Sequence, residues 1–350
     1  MIEVERVITE MYGGIPYQTL QGGISKSSHK LELPNNSNTV VVTIFENPDD
    51  WWKIEKDRAI DSCLIDTEVL HAKVLDSCFL DTGPNDKIAV LIREYIDGQD
   101  LDSLFSTTQL SHEEWDHLLG SLGTVLGQIH RVKFPTFGLI KDWKIVGSMN
   151  RSAPAAVKWI DFYDDMMAGA ETFLGSLADK KIGTLTNKDL NVIFKSSKSV
   201  YQVLNKYFEG VTEPRLTHND ARFANFIVSQ QVTSIPRELA GVIDFEWSLA
   251  GDPDIDLVQI ENWLNFSAYT PLFLEHKNSF VNAYLDQRKP SHHYSYKRQI
   301  YHMYRSIEYL NAIFGQTTST FDDKTIEYVQ KHFTMLENIV QNHEPEINIF

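Results

Sequence analysis

Cysteine is scarce in this 350-residue chain, with only Cys63 and Cys78 present. Two thiols cannot staple a disulfide framework, and with no Cys-x-x-Cys pair the sequence carries no cysteine-based zinc signature. Long apolar runs are also missing. None approaches the roughly 18–20 residues that a membrane helix needs. The opening stretch MIEVERVITEMYGG is charged and lacks the apolar centre of a signal peptide. Positive charge is in short supply: 32 Lys and Arg stand against 48 Asp and Glu, a formal net charge of −16. That balance argues against a nucleic-acid partner, which calls for a basic face. There is no internal repeat, no low-complexity tail and no Walker A Gly-Lys-Ser/Thr. These absences lead us to expect a soluble protein of a reducing cytoplasm with no membrane or nucleic-acid partner. The acidic surplus suits a cationic small molecule.

What is present supports more than one core, since 42% of the residues are hydrophobic and 11% aromatic. Residues 1–12 are expected to form a short helix. YQTLQGG, HKLELP and TVVVTIF have the look of strands, separated by Gly22-Gly23 and by Pro34-Asn35-Asn36. Residues 50–72 carry Ile54, Ile60 and Leu64 at helical spacing. KVLDSCFL and KIAVLIREYI add two strands around Gly83-Pro84-Asn85. Residues 13–96 therefore predict a five-stranded sheet with one helix.

After Asp97-Gly98 the pattern turns helical. SHEEWDHLLGSLGTVLGQIHRV, 111–132, opens on a Ser-x-x-Glu capping box. Helices are also expected over 155–177, 187–208, 255–266, 272–286, 294–314 and 322–342. SHHYSYKR, 291–298, is the expected mobile surface loop, and Trp51-Trp52 is expected to pack beneath the sheet. The fold class is α+β: an N-terminal sheet lobe, 1–96, followed by a helical catalytic and substrate-binding lobe, 97–350.

The chemistry is concentrated in LTHNDARFANFIV, 216–228, and AGVIDFEW, 240–247. An Asp, an Asn five residues on, and a strand-borne Asp-Phe make the set that phosphoryl transfer requires. In this reading Asp220 takes the proton of a substrate hydroxyl. Asn225 and Asp244 offer hard oxygen ligands to Mg²⁺. Singly, each is equally well a turn residue or a helix cap; the ordered set carries the argument. Other clusters fail the geometric test. His112 and His117 lie five residues apart on a helix, about 140° around the axis, so they cannot share a metal. His292-His293 sits in polar sequence.

These motifs resemble the aminoglycoside phosphotransferase and choline kinase superfamily, whose fold is similar to that of protein kinases. His218-Asn219-Asp220 stands where the family has His-Gly-Asp. Asn225 and Asp244 stand at its metal ligands, and Gly251-Asp252-Pro253 with Asp256-Leu257 matches its Gly-Asp-Pro-x-x-Asp-Leu tail. LIREYIDGQDL and LGQIHRVKFPTFG resemble its hinge and the stretch before its substrate region. The likeness spans about residues 13–270. It implies ATP or GTP with Mg²⁺ as cofactors, and adenine bonded by the Glu94 carbonyl and the Ile96 N–H.

LQGGISKSS, 20–28, would be the phosphate loop through Gly22, Gly23 and Ser25. The chain departs from the family at its third strand, where the usual Lys is replaced by Thr43. Lys53, Lys56 or Lys30 would have to supply the cation, with Glu55 as the helix carboxylate. Arg222, two residues after Asp220, could neutralise charge on the transferring phosphoryl group. A salt bridge to a nearby carboxylate is its plainer role.

Acceptor contacts are expected from Asp161, Asp164, Asp165, Glu261, Trp263, Tyr304 and Glu308. Their carboxylates would draw ammonium groups and their aromatics would stack on sugars or cations. The resulting expectation is an enzyme that phosphorylates a hydroxyl of an aminoglycoside-type polycation. A metabolic kinase acting on choline, a sugar or a macrolide is one alternative. A nucleotide-binding pseudokinase, suggested by Thr43, is another.

Overall fold

A computed structural model describes residues 2–20, 27–33, 38–45, 47, 51–83, 86–141, 144–146, 158–177, 179–229, 237–316, 320–341, 345 and 347–350. The chain divides into two compact units. The smaller holds residues 1–101, 140–144 and 224–246; the larger holds 102–139, 145–223 and 247–350.

In the smaller unit, helix α1 (Ile2–Tyr12) precedes strands β1 (Tyr17–Thr19), β2 (Ser27–Glu32) and β3 (Thr39–Phe45). Helix α2 (Trp52–Leu64) follows, then β4 (Val74–Gly83) and β5 (Asp86–Glu94). The five strands are all antiparallel, in the order β1-β2-β3-β5-β4. Successive side chains of a strand point to opposite faces, and both faces here are apolar. Val40, Val42, Ile44, Ile88, Val90 and Ile92 form one buried face with Val7 and Ile8 of α1. Phe45, Ala89 and Leu91 form the other with Ile54 of α2, and Trp51 packs against that cluster. The turn residues Gly22-Gly23, Pro34-Asn35-Asn36 and Pro84-Asn85 lie outside the described residues.

Helix α2 stops at Leu64, eight residues short of the sequence expectation. The Thr67 hydroxyl and N–H both donate to the Leu64 carbonyl, closing a turn. His71 then pairs with Val242 in an isolated bridge. A short three-stranded sheet completes this unit, made of β6 (Gln99–Asp100) and two later strands described below.

The larger unit begins with α3 (Leu101–Thr107), whose seven residues the sequence analysis passed over, and α4 (His112–Ile129). Ser111 caps α4 in a full capping box: its hydroxyl accepts from the Glu114 N–H, and the Glu114 carboxylate accepts from the Ser111 N–H. Strands β7 (Gly138–Lys141) and β8 (Lys144–Val146) precede α5 (Trp159–Ser176). A small hairpin, β9 (Lys181–Ile182) and β10 (Leu185–Thr186), leads into α6 (Asn187–Leu204). After it come β11 (Arg215–Thr217), β12 (Phe226–Val228), β13 (Leu239–Val242) and β14 (Leu249–Gly251). Strands β13, β12 and β6 form the three-stranded sheet, and β11, β14, β7 and β8 form a four-stranded one.

Four helices close the chain: α7 (Asp254–Leu264), α8 (Thr270–Gln287), α9 (Tyr294–Phe314) and α10 (Asp323–Val340). The stretch 291–298 is not a mobile loop. Tyr294 to Arg298 form the first turns of α9, and Lys297 and Arg298 are buried. Lys297 pairs with Asp252 and Asp254, and Arg298 with Glu261. Charge that looked solvent-bound in the sequence is matched by carboxylates from α7 and the residues before it.

Candidate active site

The catalytic-loop residues of the larger unit are held by their backbone. His218 follows directly on β11, which pairs with β14. The buried Asp256 carboxylate on α7 accepts from the backbone N–H of His218 and of Asn219, each at 2.7 Å. His130, at the C-cap of α4, adds a third bond from Nε2 at 2.9 Å, while its Nδ1 lies 2.9 Å from the Tyr284 hydroxyl. Burial alone would favour a neutral Asp256. The His130 bond and the His218 N–H outweigh it and hold the carboxyl below its ordinary value. His130 is itself kept neutral by burial, despite Asp256.

Asn219 adopts φ 60°, a left-handed backbone that few residues other than Gly accept. This explains how Asn can stand at a Gly position: Asn tolerates that conformation better than most. Its side chain adds what Gly lacks. Nδ2 donates to the Trp247 carbonyl at 3.0 Å. Arg305 of α9 donates to both the Asn219 carbonyl, at 2.8 Å, and its Oδ1. The loop is thus tied from α7 and from α9. Sequence reasoning quoted Asp256 only as part of a tail motif and missed Arg305 entirely. The signal for Arg305 was a second Arg in the expected helix, seven residues after Arg298.

Asp220 follows, and the Arg222 N–H donates to its carbonyl at 2.8 Å. The Arg222 Nε lies 3.2 Å from the Asp220 carboxylate, and the guanidinium keeps a 37% exposed side chain. The nearby carboxylate expected for Arg222 is therefore Asp220 itself. The Tyr309 hydroxyl of α9 and the Tyr328 hydroxyl of α10 are both raised, first by burial, with Asp220 adding to the rise. These two tyrosines near the candidate base were not foreseen.

The smaller unit brings the two metal-ligand candidates together. Strands β12 and β13 pair with Phe226 opposite Val242, and the Ile243 N–H donates to the Asn225 carbonyl at 3.0 Å. Asn225, just before β12, therefore lies alongside Asp244, just after β13. Asn225 is buried, and Asp244 has φ 65°. Two non-glycine residues in the left-handed region flank this chemistry, where strain is commonly held. An amide oxygen and a carboxylate are hard donors and fit Mg²⁺.

Thr43 sits at the centre of β3, opposite Ser28 on one side and Leu91 on the other, fully buried. Its hydroxyl lies 3.1 Å from that of Ser28. The pairing puts a neutral hydroxyl at the centre of the third strand. Two lysines of α2 meet Glu246. Lys56 Nζ donates to the Glu246 carbonyl at 2.7 Å, and Lys53 Nζ lies 3.7 Å from the Glu246 carboxylate. Both lysines are buried, and their partner Glu246 stands two residues along the chain from Asp244.

Glu55, expected as their helix carboxylate, is exposed. Asp57 is the buried acid of α2, and it pairs with Arg93 of β5. A cavity of about 20 Å³ is lined by Asp57, Arg93, His71 and Asp244, among others. That is room for about one water. Lys30 instead lies over the Tyr95 ring at 4.2 Å.

The hinge candidates lie where β5 ends. The Glu94 N–H donates to Lys73 and the Tyr95 N–H to Thr39, while Ile96 follows outside any strand. Gly98 is required there, because a Cβ would meet the Val228 carbonyl oxygen at 2.3 Å. Gly22, Gly23 and Ser25 lie outside the described residues.

The acceptor candidates divide. Glu308 bonds Arg305 at 2.6 Å, which connects it to Asn219 and the loop. Glu308 also helps raise the buried Tyr304 hydroxyl, after burial itself. Asp164 accepts from the Tyr201 hydroxyl at 2.5 Å, and Asp165 and Asp161 are exposed on α5. Glu261 does not belong with them. It is fully buried, and its carboxylate is occupied by Arg298, His302, Tyr294 and the Ile349 N–H. The Trp263 indole is likewise tied to Asp102 at 3.0 Å.

Among the described residues no helix is long and apolar enough to cross a membrane. Residues 17–290 match the model of the phosphotransferase enzyme family. No curated protein sequence matches the chain. Solved structures share its fold at low identity. An ethanolamine kinase from Plasmodium vivax is 14% identical with a TM-score of 0.57, covering 97% of this chain and 89% of that one. A spectinomycin phosphotransferase in complex with ADP and spectinomycin is 14% identical with a TM-score of 0.54, covering 96% and 97%. A protein assigned as a fructosamine-3-kinase, from Haemophilus somnus 129PT, is 13% identical with a TM-score of 0.55, covering 95% and 96%. The fold is that of protein-kinase-like phosphotransferases.

Proposed function

The chain belongs to the phosphotransferase enzyme family, and from that membership we propose that it transfers the terminal phosphoryl group of ATP to a hydroxyl of a small cationic molecule, with aminoglycoside-type polycations first among the candidates. The observation that carries this reading is the pairing of β12 with β13, which sets Asn225 beside Asp244 only five residues after Asp220. The acceptors named for the structural neighbours differ, so the fold serves several acceptors. The acidic balance of this chain and the carboxylates of α5 and α9 favour a cation.

Asp220 orients the acceptor hydroxyl and takes its proton. Arg222, beside it, supplies positive charge for the transferring group. Asn225 and Asp244 would hold Mg²⁺, which neutralises charge on the phosphates when bound. Lys53 replaces the missing third-strand Lys at the nucleotide phosphates, and the Glu94 carbonyl and Ile96 N–H bond the adenine. Asp256 and Arg305 position the loop without touching substrate. ADP in a structural neighbour supports ATP as donor, with GTP as the comparison.

The test is a phosphate-transfer assay with ATP, GTP and Mg²⁺ over a panel of aminoglycosides, amino alcohols, sugars and macrolides. Turnover of a cationic acceptor, lost in Asp220→Ala with nucleotide affinity nearly unchanged, is the expected result. Turnover that survives Asp220→Ala removes the base assignment. A second reading, nucleotide binding without transfer, is favoured by Thr43 in place of the Lys. It predicts thermal stabilisation by ATP and Mg²⁺ with no product from any acceptor.

A further inference from the structure

His112 has a partner that its own helix could not provide. Helices α4 and α8 run side by side, and His112 Nδ1 at the start of α4 lies 3.1 Å from His276 Nε2 on α8. The Glu275 carboxylate is 3.5 Å from the same His112 nitrogen. Ligand atoms of His112, Glu275 and His276 all lie within 4.8 Å of one another. Two nitrogens at about 2.0–2.1 Å from a tetrahedral zinc ion sit about 3.3 Å apart, close to the spacing seen here.

The buried His276 is oriented from behind. Its Nδ1 lies 3.0 Å from the Asp116 carboxylate, which also accepts from the Ser279 hydroxyl at 2.6 Å. A proton on Nδ1 leaves the Nε2 lone pair aimed at His112. This is the carboxylate–histidine arrangement that typically backs a metal ligand.

We propose that His112, Glu275 and His276 bind a zinc-class divalent ion on the α4–α8 seam, with Asp116 as the residue that orients His276. Two imidazoles and one carboxylate suit zinc, nickel or copper and disfavour Mg²⁺ and Ca²⁺, which prefer oxygen. Without the ion, the His112 Nδ1 proton bridges the two rings. The ion takes its place at Nδ1 and the neutral His112 ring carries its proton on Nε2 instead, so both imidazoles bind with no net proton change. The two carboxylates, Glu275 and Asp116, balance the dication and offset the unfavourable positive end of α4. The seam itself is rigid: a Cβ on Gly123 would meet the Phe280 carbonyl oxygen at 2.3 Å, so the helix backbones are in direct contact.

The test uses the full chain after chelator treatment, with zinc alone and no nucleotide. Calorimetry reads stoichiometry and affinity. His112 is exposed, so His112→Ala should fold; its melting curve in chelator checks this. The expected result is one more equivalent of zinc on the wild type than on His112→Ala, with a melting temperature that rises with zinc only when His112 is present. Asp116→Asn should keep the stoichiometry and weaken affinity by about 10–100-fold. Equal zinc stoichiometry in wild type and His112→Ala, or no zinc on the wild type, overturns the proposal.

Discussion

At the scale of single residues, the left-handed backbone of Asn219 is the most constrained point of the candidate site. Substitution there should rank by two separate effects. Asn219→Gly keeps the backbone conformation but loses the bonds to Trp247 and Arg305, costing about 1–3 kcal/mol. Asn219→Val loses the same bonds and also forces a β-branched side chain to positive φ, so urea unfolding should place it below the Gly variant. Asp256→Ala removes one carboxylate from three buried donors, and unfolding should show a loss of about 1–3 kcal/mol for each donor left unsatisfied.

Lys53→Met, with no third-strand Lys to compensate, should raise the KM for ATP by about 10–100-fold while leaving acceptor affinity unchanged in steady-state kinetics. The sequence allowed Asp220, Asn225 and Asp244 to be nominated as one set because they stand close along the chain. It did not expose Arg305, Tyr309 or Tyr328. Their relation to the loop depends on helix packing across more than 80 positions, and no local spacing encodes it.

At the scale of elements, periodicity and capping carried most of the fold. TVVVTIF became β3 with unchanged ends, and Ser111 with Glu114 marked the start of α4. Two misreadings share a cause. Helix α2 ends early because a threonine hydroxyl satisfies a terminal carbonyl, and 291–298, also read as a loop, runs into α9 at the expected Tyr294 with buried acids neutralising its lysine and arginine. Both are partnerships with polar groups, which a hydrophobic pattern does not record. The α4–α8 seam gives an element-scale prediction. Gly123→Ala must push the two helices apart, at about 1–3 kcal/mol, visible as a lower urea midpoint with an unchanged m-value.

At the scale of the whole molecule, buried neutral histidines set the response to acid. Burial lowers His332 to about 3, with His302 adding to the effect, and burial also lowers His130 and His302. A folded pKa below the unfolded value of 6.5 means that the unfolded chain takes up the proton first. Each such histidine contributes stability that is complete above pH 6.5. It is lost as the pH falls toward the folded value, at about 1.4 kcal/mol per pH unit. Urea titrations should therefore show stability declining from about pH 6.5, well above the range where carboxylates protonate. Replacing His332 by Asn should shallow that slope.

Helix α9 packs several duties into successive turns: the ion-paired Lys297 and Arg298, the loop clasp Arg305, then Glu308 and Tyr309. A residue inserted within it would rotate everything beyond by 100° and misalign all of them at once. Laboratory evolution toward a new acceptor should thus proceed by side-chain exchange on this helix and tolerate length changes elsewhere. Under the proposed function, the helix that would meet the acceptor and the helix that clasps the Asn219 loop are inherited as one piece.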